Sequence, residues 1–294
     1  MKNVFSADIG ATEIKYGIVS EEGKILYQSS IPTKAMTGPH VWFGRLTNII
    51  NSLKSEYDFD GVGISSSGQI DYETGKVIFA LPQIPDYTGF DIAGYIKERC
   101  GLKCVAENDV DCAVYAESIS GAGKGFSQVL GLTVGTGVGG GYILNGELLH
   151  GASCSALEVG YIEVKNSTLE KKGSVSGLIS TVKRLKKDSS TDWNGKQIIE
   201  AALKGDVDCI KALDLQADAL ARGIRSLCFV LNPEVVILGG GIMQSDYLFD
   251  LVNKKLQKCL QPHILAKTSF KRAQYGNLAG MLGAAYLYFN RIKE

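Results

Sequence analysis

The stretch that decides the fold is residues 3–31, which read NVFSADIGATEIKYGIVSEEGKILYQSSI. Three runs rich in β-forming residues, at 3–9, 13–20 and 24–31, are separated by the turn sequences Gly-Ala-Thr and Glu-Glu-Gly. Short strands joined by tight turns predict an antiparallel β-meander.

Residues 129–150, VLGLTVGTGVGGGYILNGELLH, repeat this plan, and Asn145-Gly146 is a strong hairpin signal. Glycines of the two stretches align at nearly constant spacing, which indicates a weak internal duplication and two lobes of similar architecture. The aligned pairs are Gly10 with Gly135, Gly17 with Gly141, and Gly23 with Gly146.

The bulk composition restricts the class of protein. A chain of 294 residues exceeds what one core comfortably supports, so we expect two lobes with a cleft. Lys+Arg and Asp+Glu are equal at 31 each, which argues against nucleic-acid or membrane-surface partners. The 7 cysteines form no C-x-x-C pair, and no run of about 18 apolar residues occurs, so a cytoplasmic location is expected.

Strands and helices are predicted to alternate after each meander, which is typical of an α/β fold. Residues 162–195 are polar and irregular, and we expect surface loop with a short helix there. The predicted helices are 41–55, 90–100, 110–120, about 196–204, 208–230, 245–259 and 277–289, and the predicted strands are 59–65, 105–108 and 235–238.

The first turn could hold phosphate and a metal ion. Gly10 permits a tight turn, and Thr12 offers a hydroxyl and backbone N–H groups. Asp8 could hold Mg²⁺ directly or through water, and Lys15 could add a positive charge. An ordinary hairpin with an exposed acid is equally compatible with this segment alone.

The second turn, Gly135-Thr136-Gly137-Val138-Gly139-Gly140-Gly141, satisfies the G-x-G-x-x-G pattern of dinucleotide-binding folds. That interpretation fails because the loop continues into a strand and an Asn-Gly turn, not into a helix. A glycine turn whose backbone N–H groups approach phosphate remains, with close strand packing as the alternative.

Two further segments are candidates for binding a ligand. Gly239–Gly241 follow a buried strand and leave room for a flat base or ribose, although glycines in this position are common. Asn108 and Asp109 stand at a strand-to-helix junction, where Asn108 could bind a hydroxyl and Asp109 could accept its proton. For any such Asp, a helix N-cap is the ordinary alternative.

Together these segments resemble the ROK family (repressor, open reading frame, kinase) of the sugar kinase/actin/Hsp70 superfamily. The resemblance implies an α/β, two-lobed, actin-like ATPase (ribonuclease H-like) fold with a duplicated β-meander. The matching segments are DIGATEIK, GISSSGQID, CVAENDVDCAVYAE, GLTVGTGVGGGYILNGELLHGASCSALEVGYIEV, LNPEVVILGGGI and GNLAGMLGAAYLY. We expect an N-terminal lobe of residues 1–112, which the helix at about 278–294 completes. The C-terminal lobe is expected to comprise residues 113–277.

The resemblance also implies roles for individual residues, with ATP and Mg²⁺ as cofactors and a homodimer as the assembly. Asp109 is the general base, and Asp8 holds Mg²⁺ via water. The phosphate turns and the border of the adenosine are Asp8, Ile9, Gly10, Ala11, Thr12, Glu13, Ile14 and Lys15, then Gly135, Thr136, Gly137, Val138, Gly139 and Gly140, and then Gly239, Gly240 and Gly241. The sugar is expected to contact Ser67, Gly68, Asn108, Asp109 and Glu158.

Three departures from the family pattern stand out. Ala11 replaces a glycine, which the turn should tolerate, and Tyr161 replaces a histidine that binds zinc and sugar. Residues 162–178 contain neither Cys nor His, so we expect no zinc site. Glu170 is the candidate for a further sugar-binding glutamate, and Tyr161 can still donate one hydrogen bond to the sugar.

These features predict an ATP-dependent carbohydrate kinase. An open pocket beside Tyr161 would favour the 6-hydroxyl of a β-glucoside such as cellobiose, with glucose or N-acetylmannosamine as the alternative substrate. A sugar-sensing regulator or a silent binding protein are the rivals. Because the first phosphate turn begins at Asp8, DNA binding through the family's usual N-terminal helix-turn-helix is not expected.

Overall fold

The computed structural model describes residues 2–80 and 84–292. Contacts divide the chain into two compact units. Unit one comprises Met1–Gly121, His150–Ala156 and Asn277–Glu294, and unit two comprises Ala122–Leu149 and Leu157–Gly276. The first predicted lobe boundary, at residue 112, falls within a helix that lies wholly in unit one.

Unit one is built on a mixed five-stranded sheet of order β3-β2-β1-β4-β7. The meander β1–β3 is antiparallel, whereas β4 and β7 run parallel to β1. Its strands are β1 (Asn3–Ile9), β2 (Glu13–Ser20), β3 (Ile25–Pro32), β4 (Gly61–Ser66), the hairpin β5 (Gln69–Asp71) and β6 (Lys76–Phe79), and β7 (Lys103–Asn108). Its helices are α1 (Pro39–Leu53), α2 (Ile92–Cys100), α3 (Asp109–Ser120) and α10 (Ala279–Arg291).

Small residues allow α10 to lie directly on the strands and on α3. A methyl group on Gly283 would lie 1.8 Å from the Cys112 carbonyl oxygen, and one on Gly63 would lie 2.4 Å from that of Ala284. The alanine- and glycine-rich composition of α10 is therefore a packing requirement, because backbone atoms cannot move aside as side chains can.

Unit two has a five-stranded sheet of order β10-β9-β8-β11-β12, which is the same plan of a meander followed by two parallel strands. The predicted duplication is thereby confirmed. Its strands are β8 (Gln128–Val134), β9 (Val138–Leu144), β10 (Glu147–Leu148), β11 (Val235–Gly239) and β12 (Ser269–Arg272). Its helices are α4 (Leu169–Gly173), α5 (Val175–Lys186), α6 (Gly195–Leu203), α7 (Val207–Leu231), α8 (Asp246–Cys259) and α9 (Pro262–Leu265).

The prediction for residues 162–195 was wrong in one respect, because this region includes the 12-residue helix α5. Leu178 and Val182 of this helix are fully buried, while Lys183 and Lys186 are half-buried and Arg184 is exposed. The amphipathic pattern of this helix was not recognised in the sequence, because the region contains many charged residues. Short strands β5, β6 and β12 were also not predicted, because three or four residues carry too little periodicity.

Among residues 2–80 and 84–292, no helix combines the length and apolar character required to cross a bilayer.

The packing of α10 yields a stability prediction. Gly283→Ala should lower the free energy of unfolding by about 2 kcal/mol or more, because the added methyl overlaps the Cys112 carbonyl. Gly44→Ala in α1 is the matched control, since its methyl would meet only the Tyr95 hydroxyl at 3.5 Å. That control should be neutral or stabilising by up to about 1 kcal/mol. Urea unfolding compares the two, and equal midpoints would contradict the proposed packing constraint.

Candidate active site

The ends of three parallel strands assemble the polar residues of unit one. Asp8 of β1 pairs with Ser65 of β4, and Ser65 pairs with Glu107 of β7, so these residues form one row across the sheet. In the next row Ser66 pairs with Asn108, and Asp109 follows Asn108 as the first residue of α3. Ligands of open α/β sheets bind at the carboxyl ends of parallel strands, which makes this edge a candidate site.

Asp8 is held at that edge by a hydrogen bond and by close packing. The Ser65 hydroxyl donates to Asp8 Oδ1 over 2.6 Å, and a methyl group on Gly280 would lie 2.6 Å from the same oxygen. Burial raises the pKa of Asp8, although the Ser65 hydrogen bond and the charge of Lys15 oppose this. A carboxylate so poorly solvated gains stability from a cation.

The turn after Asp8 is closed by backbone and hydroxyl groups. Gly10 N–H donates to the Glu13 carbonyl over 3.1 Å, and the Thr33 hydroxyl donates to the Gly10 carbonyl over 2.6 Å. Ala11 and Thr12 are exposed, so their N–H groups are accessible. The side chains of Ile9 and Ile14 are buried in the core, so only their backbone could contact a ligand.

Asn108 caps α3 and links it to Gly68. Its Oδ1 accepts from the N–H groups of Val110 and Asp111 over 2.8 and 3.2 Å, and its Nδ2 donates to the Gly68 carbonyl over 2.9 Å. One amide hydrogen of Asn108 is left for a ligand hydroxyl. Unit one therefore brings Gly68, Asn108 and Asp109 together, with Ser67 next to Gly68 in the chain.

Tyr87 and Ser66 are residues of this edge that the sequence interpretation missed. The Tyr87 side chain is fully buried, and its hydroxyl forms a hydrogen bond with the Ser66 hydroxyl. Burial is the main cause that raises the pKa of Tyr87, and the charge of Asp109 adds to it. No local motif marks a tyrosine brought to this position by a loop.

The second glycine turn lies in unit two, between β8 and β9. Gly135 N–H donates to the Gly137 carbonyl over 3.0 Å, and β9 already begins at Val138. Val138 is buried, and a methyl group on Gly140 would lie 2.8 Å from Val159. Gly139 and Gly140 are therefore strand residues, and the turn itself is Gly135–Gly137, with Thr136 as its exposed residue.

Gly240 lies against this turn. It has a φ of +94°, and a methyl group on it would lie 2.1 Å from the Val134 carbonyl oxygen. Gly239 pairs with Thr133. The predicted third glycine segment is thus a neighbour of the second glycine turn within unit two.

A cavity of about 610 Å³ opens beside these glycines in unit two. Gly135, Thr136 and Gly241 contribute to its wall. Aliphatic side chains of Val175, Ile179, Ile199 and Ile242 form its apolar part, with polar groups from Asn194 and Glu200. An apolar pocket with a few polar groups is typical of a small-molecule site.

The glutamates predicted to bind sugar lie near the second turn. Glu158 is exposed just before the short turn Val159–Tyr161, and the Tyr161 side chain is 72% exposed. The Glu170 carboxylate is close to both segments, because a methyl group on Gly137 or Gly160 would lie 2.6 or 3.3 Å from its Oε2.

Apolar packing and an ion pair hold the segment between Tyr161 and Glu170. Leu169 is fully buried, and a methyl group on Gly223 of α7 would lie 2.6 Å from it. Lys165 forms an ion pair of 2.5 Å with Asp218, which also contacts Arg222. Within the described residues, three side chains that could together hold a metal ion lie in unit one and not in this segment. They are Glu107, Asp111 and His150.

Comparison with known proteins identifies relatives over the whole length of the chain. An uncharacterised protein of Clostridium perfringens is 38% identical over 95% of this chain and 95% of its own. A glucokinase of Thermotoga maritima is 29% identical over 98% of both chains. The structure of a ROK family glucokinase from Streptomyces griseus in complex with glucose and AMPPNP aligns with a TM-score of 0.81 and 28% identity, covering 97% of this chain and 98% of that one.

The family model described as "ROK family" matches residues 4–291. Together with the actin-like ATPase fold of the solved relatives, this match shows that the chain belongs to the ROK family.

Proposed function

We propose that this protein is an ATP-dependent sugar kinase that transfers the γ-phosphoryl group of ATP to a sugar hydroxyl. The observation that carries the proposal is the edge of unit one, where Asp8 at the end of β1 and the pair Asn108-Asp109 at the end of β7 lie on either side of the parallel strand β4. A carboxylate for a cation and a carboxylate for a proton are what phosphoryl transfer to a hydroxyl requires.

Unit two supplies the groups expected to hold ATP. The backbone N–H groups of Thr136 and Gly137 would bind phosphate oxygens, as those of Ala11 and Thr12 in the first turn would. The N–H groups of Gly135 and Gly10 already donate to carbonyls within their own turns. The cavity beside Gly241 has aliphatic walls suited to a flat base, and Gly135 and Gly241 contribute no side chain to its wall. The AMPPNP bound to the Streptomyces griseus relative supports ATP as the nucleotide.

Asp8 fits a magnesium ion, because it is a poorly solvated carboxylate with one hydroxyl donor. We propose that it holds Mg²⁺ through water, and Lys15, its partner across the β1–β2 ladder, adds positive charge. Bound there with ATP, the ion would neutralise charge on the phosphates.

Asp109 is the proposed general base. Its Oδ1 accepts the N–H of Val110 over 2.9 Å, which orients the carboxylate. It would align the sugar hydroxyl and take its proton as the oxygen attacks phosphorus. Because the transition state is loose, placement matters more than deprotonation, and the proton moves late. The sugar would be held by Ser67, Gly68, Asn108, Glu158, Tyr161 and Glu170.

For the substrate, we favour the 6-hydroxyl of a β-glucoside such as cellobiose. The exposed Tyr161 and the short turn that follows it leave space beside this residue for a second sugar or an aglycone. No zinc is included in the proposal, because Leu169 and the Lys165–Asp218 pair already hold the segment. Glucose or N-acetylmannosamine is the second choice. The family resemblance also supports a cytoplasmic homodimer.

The proposed activity is tested by ADP release with Mg·ATP over a panel of cellobiose, other β-glucosides, glucose, N-acetylmannosamine and N-acetylglucosamine. We expect at least one sugar to release ADP stoichiometrically, with cellobiose first in kcat/KM. Treating the protein with a zinc chelator and restoring only Mg²⁺ should leave the rate unchanged. Sugar binding in calorimetry without ADP release would instead identify a sensor or a silent binding protein.

Asp109→Asn should lower kcat by about 10²–10⁴-fold, because the amide cannot accept the hydroxyl proton. Asp91→Asn is the matched control, since Asp91 caps α2 by accepting the Gly94 N–H over 2.8 Å, a role that Asn retains. Steady-state kinetics on the best sugar compare the variants. An Asp109→Asn rate within threefold of wild type would remove Asp109 from the role of base.

Asp8→Asn should lose activity yet gain thermal stability at pH 7 without Mg²⁺. The folded pKa of Asp8 is raised by burial, so its charged form costs stability that increases as pH rises above the ordinary value of 3.8. Removing the charge eliminates that cost, and the stability difference should shrink as pH falls toward about 4. Thermal melts of both proteins between pH 4 and 7 measure it. A variant less stable than wild type at pH 7 would contradict this account of Asp8.

A further inference from the structure

A buried carboxylate in unit one has no part in the proposed chemistry. Glu107 immediately precedes Asn108 in β7, and its side chain is 1% exposed. Its Oε2 accepts from His150 Nε2 over 2.8 Å and from Arg291 Nη2 over 2.5 Å. Its Oε1 accepts the backbone N–H of Asn108 over 2.9 Å. A carboxylate with three donors, two of them on its buried side, is held in one orientation.

The geometry determines the proton position on His150. A ring nitrogen 2.8 Å from a carboxylate oxygen must carry a hydrogen, because two lone pairs at that distance repel. Nε2–H therefore donates to Glu107, and the nearby Arg291 Nη2, 3.3 Å from Nε2, is a neighbour and not its donor. The imidazole is also fixed by Tyr72, whose ring stacks on it with centroids 3.8 Å apart.

Charge favours the ionised form of Glu107. Burial alone would raise its pKa, but the hydrogen bond from His150 and the charge of Arg291 outweigh burial and lower the pKa below its ordinary value. Arg291 also lies over the Tyr72 ring, with Cζ 5.2 Å from the centroid. Glu107 is thus an ionised anchor, and removing either donor would leave a buried charge less well compensated.

The same residues could suggest a metal site, because ligand atoms of Glu107, Asp111 and His150 lie within 4.8 Å of one another. The guanidinium of Arg291 already supplies the positive charge at Glu107 Oε2. The nitrogen of His150 that faces this group carries a proton and has no lone pair to offer. The contacts therefore favour an ion-pair network over a cation site.

The anchor acts on the candidate catalytic pair. Through Asn108 N–H it fixes the backbone at the point where β7 becomes α3, and the Asn108 side chain then caps α3 and bonds to Gly68. We infer that Glu107, His150 and Arg291 form a positioning network that holds Asn108 and Asp109 in the geometry for accepting a sugar hydroxyl. This inference rests on the proposed kinase function.

Kinetics of conservative and disruptive variants test the inference. Glu107→Gln and Arg291→Met should lower kcat about 10–100-fold, because displacement of a catalytic group by about 1 Å has effects of that size. KM for ATP should stay within about twofold, because the network contacts none of the groups proposed to bind ATP. Arg291→Lys, which keeps a donor toward Glu107, should recover part of the rate lost in Arg291→Met.

Arg272→Met is the matched control. Arg272 also combines an ion pair, 2.6 Å to Asp246, with an aromatic ring, 4.3 Å from the Phe249 centroid, but it lies in unit two. Its removal should leave kcat within about twofold of wild type, because it contacts neither Asn108 nor Asp109. An equal loss of kcat in both arginine variants would overturn the positioning role.

Amide hydrogen exchange supplies a readout that does not depend on activity. Arg291→Met should speed exchange of the amides of Asn108, Val110 and Asp111, which donate to Glu107 or to the Asn108 cap, and leave α2 unchanged. Unchanged exchange and kcat would refute the network. If the wild-type protein phosphorylates no sugar, the kinase proposal fails, whereas the exchange result still decides whether the network holds this junction.

Discussion

The parallel register of β1, β4 and β7 is the constraint on which the candidate site depends. Parallel strands end at the same edge of a sheet, so Asp8, Ser65 and Glu107 come into one row although up to 99 positions separate them in the sequence, from 8 to 107. Backbone hydrogen bonds fix that row to within a fraction of a residue spacing. Asp8, Ser65 and Glu107 therefore stand on strands of the sheet and not on loops.

The helix α10 keeps that frame in place by contact between backbones. It returns from the end of the chain to lie on β1, β4 and α3, and its glycines permit the approach. Ser6 donates a hydrogen bond to the Met281 carbonyl over 2.6 Å, so a buried hydroxyl is satisfied in the same contact. Arg291, at the end of this helix, then reaches Glu107. The last helix thus links the packing of unit one to the residues beside Asp109.

The duplicated sheet has different surface chemistry in its two copies. The edge of unit one carries carboxylates, Asp8 and Asp109, suited to a cation and a proton. The corresponding turn of unit two carries glycines, so backbone N–H groups are what it offers to an anion. The same strand order is thus combined with opposite electrostatic preferences, which the proposed phosphoryl transfer would use.

The segment after Tyr161 is held by contacts with helix α7. Leu169 packs against Gly223 of α7, where a side chain would leave no room for it, and Lys165 forms an ion pair with Asp218 of the same helix. The sequence shows that Cys and His are absent here, but the replacement contacts involve α7, some fifty positions later in the chain. Nothing local in residues 162–178 identifies these partners.

Period-two strand patterns, glycine turns and helical spacing were sufficient to predict the two meanders, the duplication and most helices, because these are local properties of the chain. Local motifs also marked Asp8, Asn108, Asp109 and the three glycine segments as candidates. Helix α5 was not predicted, because the charged residues of its region obscured the helical spacing of its apolar residues. The short strands β5 and β12 carry too few residues for a pattern.

The neighbours of those candidates depend on tertiary structure alone. Ser65 donates a hydrogen bond to Asp8, and His150 and Arg291 contact Glu107, although these partners lie far apart in the sequence. Tyr87 is likewise buried by residues that are distant in the sequence. Side-chain orientation and desolvation arise only when sheets and helices pack. The sequence by itself therefore determined the fold class and the candidate groups, whereas packing decided how each group is oriented, charged and supported.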